Sequence, residues 1–332
     1  MRVSFDDLTT LISDGFQRVG LTRAAALAVA QEVVFAEARG KKSHGLAMIE
    51  SMLKRARKGG GPPEVVMRRD AGVLIDGRGA IGPHVAKLAM DQLCEITLER
   101  GMGAVGVRNE SPFLTAGYSV WRGAVEAKIV TIAASVAKSK VAPFGGSKAI
   151  LGTNPIAFAI PADPYPIVID MAITKIPAAE VDQAIAAGER LPDGVAMDAS
   201  GTLTTDPNEA KKGALIPFGD YKGSALGVIV ELICGALLGA KCGLRHGEMR
   251  SMLFLAFRTD FFEDAASVAQ AARDLREDIW SSNGAERVRC PGDRAQELFQ
   301  RALTSGFDIE DAEVDRLRSL GRTERSAGQA ST

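Results

Sequence analysis

The sequence predicts an α/β chain with helices at both ends, and three observations carry this reading. Apolar residues recur at every third or fourth position near both ends, the pattern of one-sided helices. Between them, short apolar runs broken by glycine and proline alternate with further helical patterns, as strands joined by helices would. The chain has no G-x-G-x-x-G that follows a strand and opens a helix, and no Walker A spacing, so neither common nucleotide loop is present. At 332 residues it exceeds one small core and suits two or three closely packed domains.

Ser4, with Asp7 in the first turn, caps the first helix, and Leu8, Leu11, Ile12, Phe16 and Val19 form its apolar stripe. A second helix runs from about Thr22 to Arg39 and stops at Gly40. Ser43 is placed as the cap of a third, which turns Leu46, Ile49, Met52 and Leu53 inward and ends at Gly59-Gly60-Gly61-Pro62-Pro63. Val73–Ile75 reads as a strand, 85–100 as a helix, 104–107 as a strand, 116–127 as a helix and 129–134 as a strand. Ile156–Ile160 and Ile167–Ile169 are two further strands, followed by a helix over 178–187 and a polar, turn-rich stretch over 193–207. Lys222–Leu238 is an apolar helix with small residues on several sides and is expected to be buried. A strand over 252–257 precedes a helix over 265–280 with Val268, Ala272, Leu275 and Ile279 inward. Two helices follow the turn at Pro291-Gly292-Asp293, and a polar tail from Gly321 is expected to be disordered.

Composition excludes several function classes. The 40 basic and 41 acidic residues leave a net charge of −1, so no overall field draws in nucleic acid or an anionic membrane. The densest basic run, Lys54–Lys58, contains no aromatic residue and reads as a solvated helix end. Ala225–Ala240 is the most apolar stretch, but it carries Glu231 and is short for a bilayer span. The four cysteines are widely spaced and metal-ligand spacing is absent, so no metal is expected; with no signal-like N-terminus, a reducing cytoplasm is the expected setting.

Few residues are placed to do proton chemistry. Of three histidines, only His44, in Ser43-His44-Gly45, stands at an expected helix start, where a positive helix end would favour the neutral imidazole. His84 and His246 lack such a setting. Asp170 follows Ile167-Val168-Ile169 and so lies at a strand end near the interior, where it requires a polar partner, either His44 or a backbone N–H of the next turn. Lys222-Gly223 opens the apolar helix, where backbone N–H groups and the ammonium can hold a phosphate; a plain helix start is the alternative.

These residues carry a family resemblance. Ser43-His44-Gly45, Val141–Gly146, Leu151-Gly152-Thr153-Asn154-Pro155, Asp170-Met171-Ala172, Pro217–Gly223 and Pro291-Gly292-Asp293-Arg294 are each short, but their order and spacing are specific. Over about residues 5 to 305 the chain resembles the malate/L-lactate dehydrogenase family of the non-Rossmann type, which includes sulfolactate, ureidoglycolate and diketogulonate oxidoreductases and the Δ1-piperideine-2-carboxylate/Δ1-pyrroline-2-carboxylate reductases. The resemblance implies a largely antiparallel sheet flanked by helices, with a helical domain built from both chain ends. That places residues 1–75 against 291–320, a cofactor- and substrate-binding region over 76–290, and a tail over 321–332. It further implies NAD or NADP as cofactor, a small carboxylate substrate, and a homodimer with its sites near the interface. By carry-over His44 is the proton donor in reduction, with Ser43 and Asp170 as its polar partners; Asp170, Met171, Ala172, Ile173, Thr174, Lys222, Gly223, Pro291, Gly292 and Asp293 line the cofactor.

Two departures bear on activity. The family commonly has arginine four residues after the histidine, where it can clamp a substrate carboxylate, and here that position is Met48. Many members carry a second histidine in an Arg-Asn-Ser-x-His stretch, and here Pro112 takes its place. Arg55 lies on the Met48 face but roughly 10 Å along the helix, so a clamp is expected to be absent or to come from another segment. The reading is an NAD(P)H-dependent reductase of a C=O or C=N group beside a carboxylate; the alternative is a non-catalytic descendant that keeps the fold.

Overall fold

A computed structural model describes residues 1–245, 247, 249–284 and 288–322, so His246 and the tail from Thr323 lie outside the described residues. Strand β1 (Arg2–Val3) leads into α1 (Phe5–Arg18), where Ser4 Oγ accepts from the Asp7 N–H at 3.0 Å. Thr22 caps α2 (Arg23–Ala38) in the same way. The expected helix start at Ser43 needs correction. Lys42–His44 and Leu46–Met48 are two tight 3-10 turns, Ser43 caps nothing, and α3 (Ile49–Lys58) begins only after them. Gly45 separates the turns because a Cβ there would lie 2.2 Å from Glu37 Oε2, which instead accepts from the Leu46 N–H at 3.0 Å.

The middle of the chain runs β2 (Glu64–Arg69), β3 (Gly72–Asp76), α4 (Gly82–Arg100), β4 (Met102–Glu110), α5 (Ala116–Glu126), β5 (Ile129–Val136), β6 (Ser139–Val141), β7 (Leu151–Gly152), β8 (Ile156–Ile160) and β9 (Ile167–Met171). It continues through α6 (Ala178–Ala187), β10 (Ala196–Met197), α7 (Pro207–Lys212), β11 (Ala214–Leu215), α8 (Tyr221–Val230), β12 (Arg250–Arg258) and α9 (Ala265–Ser281). The chain closes with α10 (Asp293–Ser305), β13 (Phe307–Asp308) and α11 (Asp311–Ser319).

Among the described residues, seven strands form one sheet in the order β2-β3-β4-β12-β5-β8-β9, and only the β3–β4 pair is parallel. The expectation of a largely antiparallel sheet therefore holds. Its strands alternate, and each face is buried against a different layer. Val105, Val107, Ala133 and Phe254 meet α4 and α5 on one side. Ala134, Val136 and Leu253 meet Val230, Cys234 and Leu238 on the other. Strands β6, β7, β10 and β11 form a smaller sheet under α6 and α7. The chain ends meet: β1 pairs with β13, and Val3, Leu8, Ile12 and Phe16 share a core with Ile309, Val314 and Leu317. Strand β2 and all but the last residue of β3 fall within residues 1–75 yet belong to the large sheet, and the last N-terminal helix ends at Lys58.

Two burial expectations are overturned. The segment after α8 continues as a widened turn over Glu231–Gly235 and a 3-10 turn over Ala236–Leu238, and one side of the whole run is open. Ile229, Leu232 and Leu237 are 53%, 49% and 69% exposed, because the sheet covers only the face carrying Val230, Cys234 and Leu238. The run Tyr221–Leu238 is apolar and long enough to cross a membrane by length and composition, yet its buried Glu231 is held by the N–H groups of Gly152 and Gly243 and by Asn154 Nδ2. In α9, Leu275 is exposed and Arg276 is the buried residue, donating to the Asp163 and Tyr165 carbonyls at 2.7 Å and lying over the Tyr165 ring.

Candidate active site

The site lies where the end of β9 faces the end of α2 and the starts of α5 and α10. A cavity of about 270 Å³ is lined by Phe35, Ala36, Arg39, Lys41, Thr115, Gly117, Val168, Ile169, Asp170, Pro291, Gly292 and Ala295. Phe35 in its wall belongs to an aromatic cluster: it stands 4.9 Å from Tyr118 and from Trp121 and 5.5 Å from Phe299, centroid to centroid. Such pairs contribute about 0.5–1.5 kcal/mol each beyond their buried area, and these join α2, α5 and α10.

Asp170 sits on β9 opposite Ala157 of β8, with its side chain 12% exposed. Its carboxylate accepts from the Lys41 ammonium, a partner the sequence reading had not considered. Gly117 allows this approach to α5, since a Cβ there would lie 2.7 Å from Asp170 Oδ2. No hydrogen bond joins His44 to Asp170. His44 Nδ1 instead meets Ser43 Oγ at 3.0 Å. Burial and then the Lys41 charge push the His44 imidazole below its ordinary pKa, while Asp170 opposes them. The expected depression is present, but its cause is burial beside an ammonium, not a helix end. Lys41 is thus coupled to both residues of the expected pair.

Arg39 closes the other side. It is 8% exposed, donates to Gln296 Oε1 at 3.2 Å and lies 5.2 Å from the Phe35 ring centroid. Burial lowers its pKa to about 10, so the guanidinium stays charged at neutral pH. Beneath the α5 start, buried Glu32 accepts the N–H of Leu114 at 2.9 Å and that of Thr115. Burial outweighs those two bonds and raises its pKa to about 8. Arg39 and Lys41 supply two cations against the one carboxylate, and they come from the loop that also carries Ser43 and His44. The one available signal was the basic run Arg39-Gly40-Lys41-Lys42 just before Ser43.

The other anchor residues divide into two groups. Gly292 and Pro291 line the cavity, but the Asp293 carboxylate turns inward and accepts from Tyr165 Oη at 3.0 Å, Trp280 Nε1 at 2.6 Å and the Cys290 N–H at 2.9 Å. Ile173 and Thr174 are buried, so only the backbone of that segment, with the exposed Met171 and half-buried Ala172, can face a ligand. Asn154 of the Gly-Thr-Asn-Pro run is fully buried, accepts the Ala137 N–H and donates to Glu231, so that motif is structural. Lys222 and Gly223 lie in the first turn of α8, away from the first cavity; Gly223 packs against the Phe218 and Ile173 carbonyls. The Ile173 carbonyl accepts the Phe218 N–H, so the stretch after Asp170 runs from the cavity to the α8 start. There a second cavity of about 240 Å³ is bounded by Pro143, Phe144, Gly145, Lys175, Pro217 and Asp220. Arg55 donates to the Pro112 carbonyl at 3.0 Å and packs this loop rather than reaching Asp170.

A non-Rossmann sheet beside a cavity lined by an acid and two cations, with a perturbed histidine coupled in charge to the acid and to one of the cations, suits a dehydrogenase or reductase. Comparison with known proteins identifies the family. The family model for malate/L-lactate dehydrogenase matches residues 3–318, and the chain belongs to this family. It is 34% identical to a Δ1-pyrroline-2-carboxylate/Δ1-piperideine-2-carboxylate reductase of Pseudomonas putida, with 96% of this chain and 97% of the relative covered. Against the NADP(+)-dependent (2R)-3-sulfolactate dehydrogenase of Chromohalobacter salexigens it is 33% identical, with 96% and 97% covered. The crystal structure of Δ1-piperideine-2-carboxylate reductase from Pseudomonas syringae pathovar tomato superposes with a TM-score of 0.88 at 27% identity, covering 96% of this chain and 99% of that one. The chain is an oxidoreductase of the dehydrogenase and reductase class, with NAD or NADP as its cofactor.

Proposed function

We propose that the chain reduces a C=O or C=N carbon beside a carboxylate, with His44 as the proton donor. The observation that carries this reading is the pairing of Lys41 with Asp170 at the cavity, with the His44 imidazole coupled in charge to both. NAD(H) or NADP(H), when bound, supplies the hydride. The residues present fit such a group: Lys222 has no ion pair among the described residues and opens α8, the apolar second cavity lies near it, and glycine at 292 keeps the α10 start against Val168, where a Cβ would lie 2.8 Å from the carbonyl oxygen.

Each side chain then has a chemical task. Ser43 engages Nδ1, which leaves Nε2 to carry the proton toward substrate oxygen or nitrogen. The depressed pKa makes the imidazolium a readier acid. Asp170 fixes Lys41 and offsets part of its repulsion of His44⁺. Arg39, with Lys41, takes over the carboxylate clamp missing at Met48, because a buried guanidinium forms strong charge-assisted bonds to carboxylate. The absence of histidine at Pro112 leaves His44 the one histidine coupled to Asp170 among the described residues. The open apolar side of the Tyr221–Leu238 run, carrying Ile229, Leu232 and Leu237, supports a homodimer. Four free cysteines suit a cytoplasmic setting.

The test is cofactor oxidation over pyruvate, oxaloacetate and the cyclic imino acids, with intact protein and His44→Ala. The variant should lose roughly 10²–10⁴-fold in kcat while calorimetric affinity for the dinucleotide is kept. Wild-type turnover in His44→Ala would exclude the role, and a silent panel with the intact protein would favour a non-catalytic descendant.

A further inference from the structure

A third cavity, of about 430 Å³ and larger than the reaction cavity, lies between the end of α5, the loop before β9 and the first half of α10. Its walls are apolar and flat, with Trp121, Tyr165 and Phe299 on one part and Pro161, Pro164 and Pro166 on the other. Trp121 and Phe299 stand 5.5 Å apart, centroid to centroid, and both pack on Phe35, which lines the reaction cavity. The polar lining is sparse and differs in kind. Gln296 is 7% exposed, and its Oε1 accepts from Arg39 at 3.2 Å, while its Nε2 has no partner among the described residues. A buried amide nitrogen carries two N–H donors, and leaving them unmet is costly. Lys128 adds an ammonium with neither a hydrogen bond nor an ion pair among the described residues; its carbonyl accepts from Thr259 Oγ1 at 3.3 Å. The single carboxylate in the lining, Asp163, is paired with Arg273 at 3.3 Å. Gln296 therefore stands between two cavities: one half of its amide holds Arg39 of the reaction cavity, and the other half is left for an occupant of the third.

We propose that this cavity is an effector site for a small aromatic carboxylate, coupled to the reaction cavity through Gln296 and Arg39. A flat ring suits walls made of Trp121, Phe299 and three prolines, where stacked and edge-on contacts add to apolar burial. The carboxylate accepts from Gln296 Nε2 and from the Lys128 ammonium, in bonds strengthened by charge. A neutral aromatic would leave the ammonium unused, and an aliphatic acid would forgo the ring contacts. Occupancy fixes the Gln296 amide with Oε1 on Arg39, so the guanidinium is held ready for a substrate carboxylate. The coupling rests on the proposed role of Arg39 in the carboxylate clamp; the binding itself does not. Coupling between two sites is reciprocal, so each acid strengthens the binding of the other by the same factor.

The test is calorimetric titration of the full-length chain with indole-3-acetate, with indole-3-acetamide as the neutral probe and acetate as the non-aromatic one. Indole-3-acetate should bind at least about tenfold more tightly than either. Lys128→Met alters the third cavity alone and should weaken that binding about tenfold, whereas Lys41→Met alters the reaction cavity alone and should leave it within about twofold. Gln296→Glu keeps an acceptor for Arg39 but exchanges the donor for an oxygen, and should weaken it by at least about tenfold as well. Thermal unfolding checks that each variant keeps the fold; Lys128 is exposed. Pyruvate, titrated with and without saturating indole-3-acetate, should bind about fivefold more tightly in its presence. Equal binding of the three probes overturns the site. So does binding lost in Lys41→Met and kept in Lys128→Met, by assigning the aromatic acid to the reaction cavity. Indole-3-acetate bound in the third cavity with pyruvate affinity unchanged or weakened overturns the coupling. Absence of any pyruvate binding counts against the oxo-acid reading, and the indole-3-acetate titrations then decide the site by themselves.

Discussion

Lys41 adds to burial in depressing the His44 pKa and is bonded to Asp170, so it couples the two residues. Its removal takes away a positive neighbour and frees a negative one, and both changes raise the His44 pKa. In Lys41→Met the pH profile of kcat for reduction, which under the proposed role of His44 rises as pH falls and the imidazole becomes protonated, should therefore shift to higher pH. A profile that does not move would separate Lys41 from the proton donor. Glu32 provides a test through stability. Its folded pKa, about 8, lies above its ordinary 4.5, so the folded state holds a proton that the unfolded chain releases. Its stabilising contribution is full below about 4.5 and is lost as pH rises toward 8. Glu32→Gln keeps an acceptor for the Leu114 and Thr115 N–H groups and cannot ionise, so the thermal midpoint should fall less between pH 5 and pH 8 than in the intact chain. His44 acts in the opposite sense: its pKa is depressed, so its contribution is full above about 6.5 and is lost as pH falls. An unchanged slope in Glu32→Gln would mean that this carboxyl is already ionised in the folded protein.

At the scale of elements, the first turn of α5 is the tightest constraint on the site. Gly117 leaves room for Asp170, and a methyl group there would lie within 2.7–3.1 Å of three atoms of that side chain. Alanine is the better helix former by about 1 kcal/mol, so Gly117→Ala should fold while displacing Asp170 and costing up to roughly 10²-fold in kcat. Full activity in a folded Gly117→Ala would show that Asp170 has room to move. Periodicity made the strongly one-sided helices legible: in α1 the expected stripe residues Leu8, Ile12 and Phe16 are buried. The short elements around the site were not. The 3-10 turns at Lys42–Met48 depend on Glu37 reaching the Leu46 N–H, a contact from the neighbouring helix. In α9 the sequence pattern placed Leu275 inward, but the Asp163 and Tyr165 carbonyls and the Tyr165 ring select Arg276.

At the scale of the whole molecule, the open apolar side of the Tyr221–Leu238 run is the surface that a second copy would cover in the proposed dimer. Ile229→Asp/Leu232→Asp should convert a dimer to single chains of 35.0 kDa by light scattering. A single-chain mass for the unmodified protein would reject the interface. The sequence by itself determined the α/β class, the helical ends, the Ser43-His44 and Asp170 candidates, and the absence of common nucleotide loops. Each of these is written in local periodicity or in short motifs. Only the tertiary structure decided who partners whom. Asp170 pairs with Lys41, which is 129 residues away, Arg39 joins the reaction cavity to Gln296, and Asp293 turns inward to Tyr165. The physical reason is that a buried charge takes whatever opposite charge or donor the fold brings within reach, and residue spacing carries no record of contacts between segments so far apart along the chain.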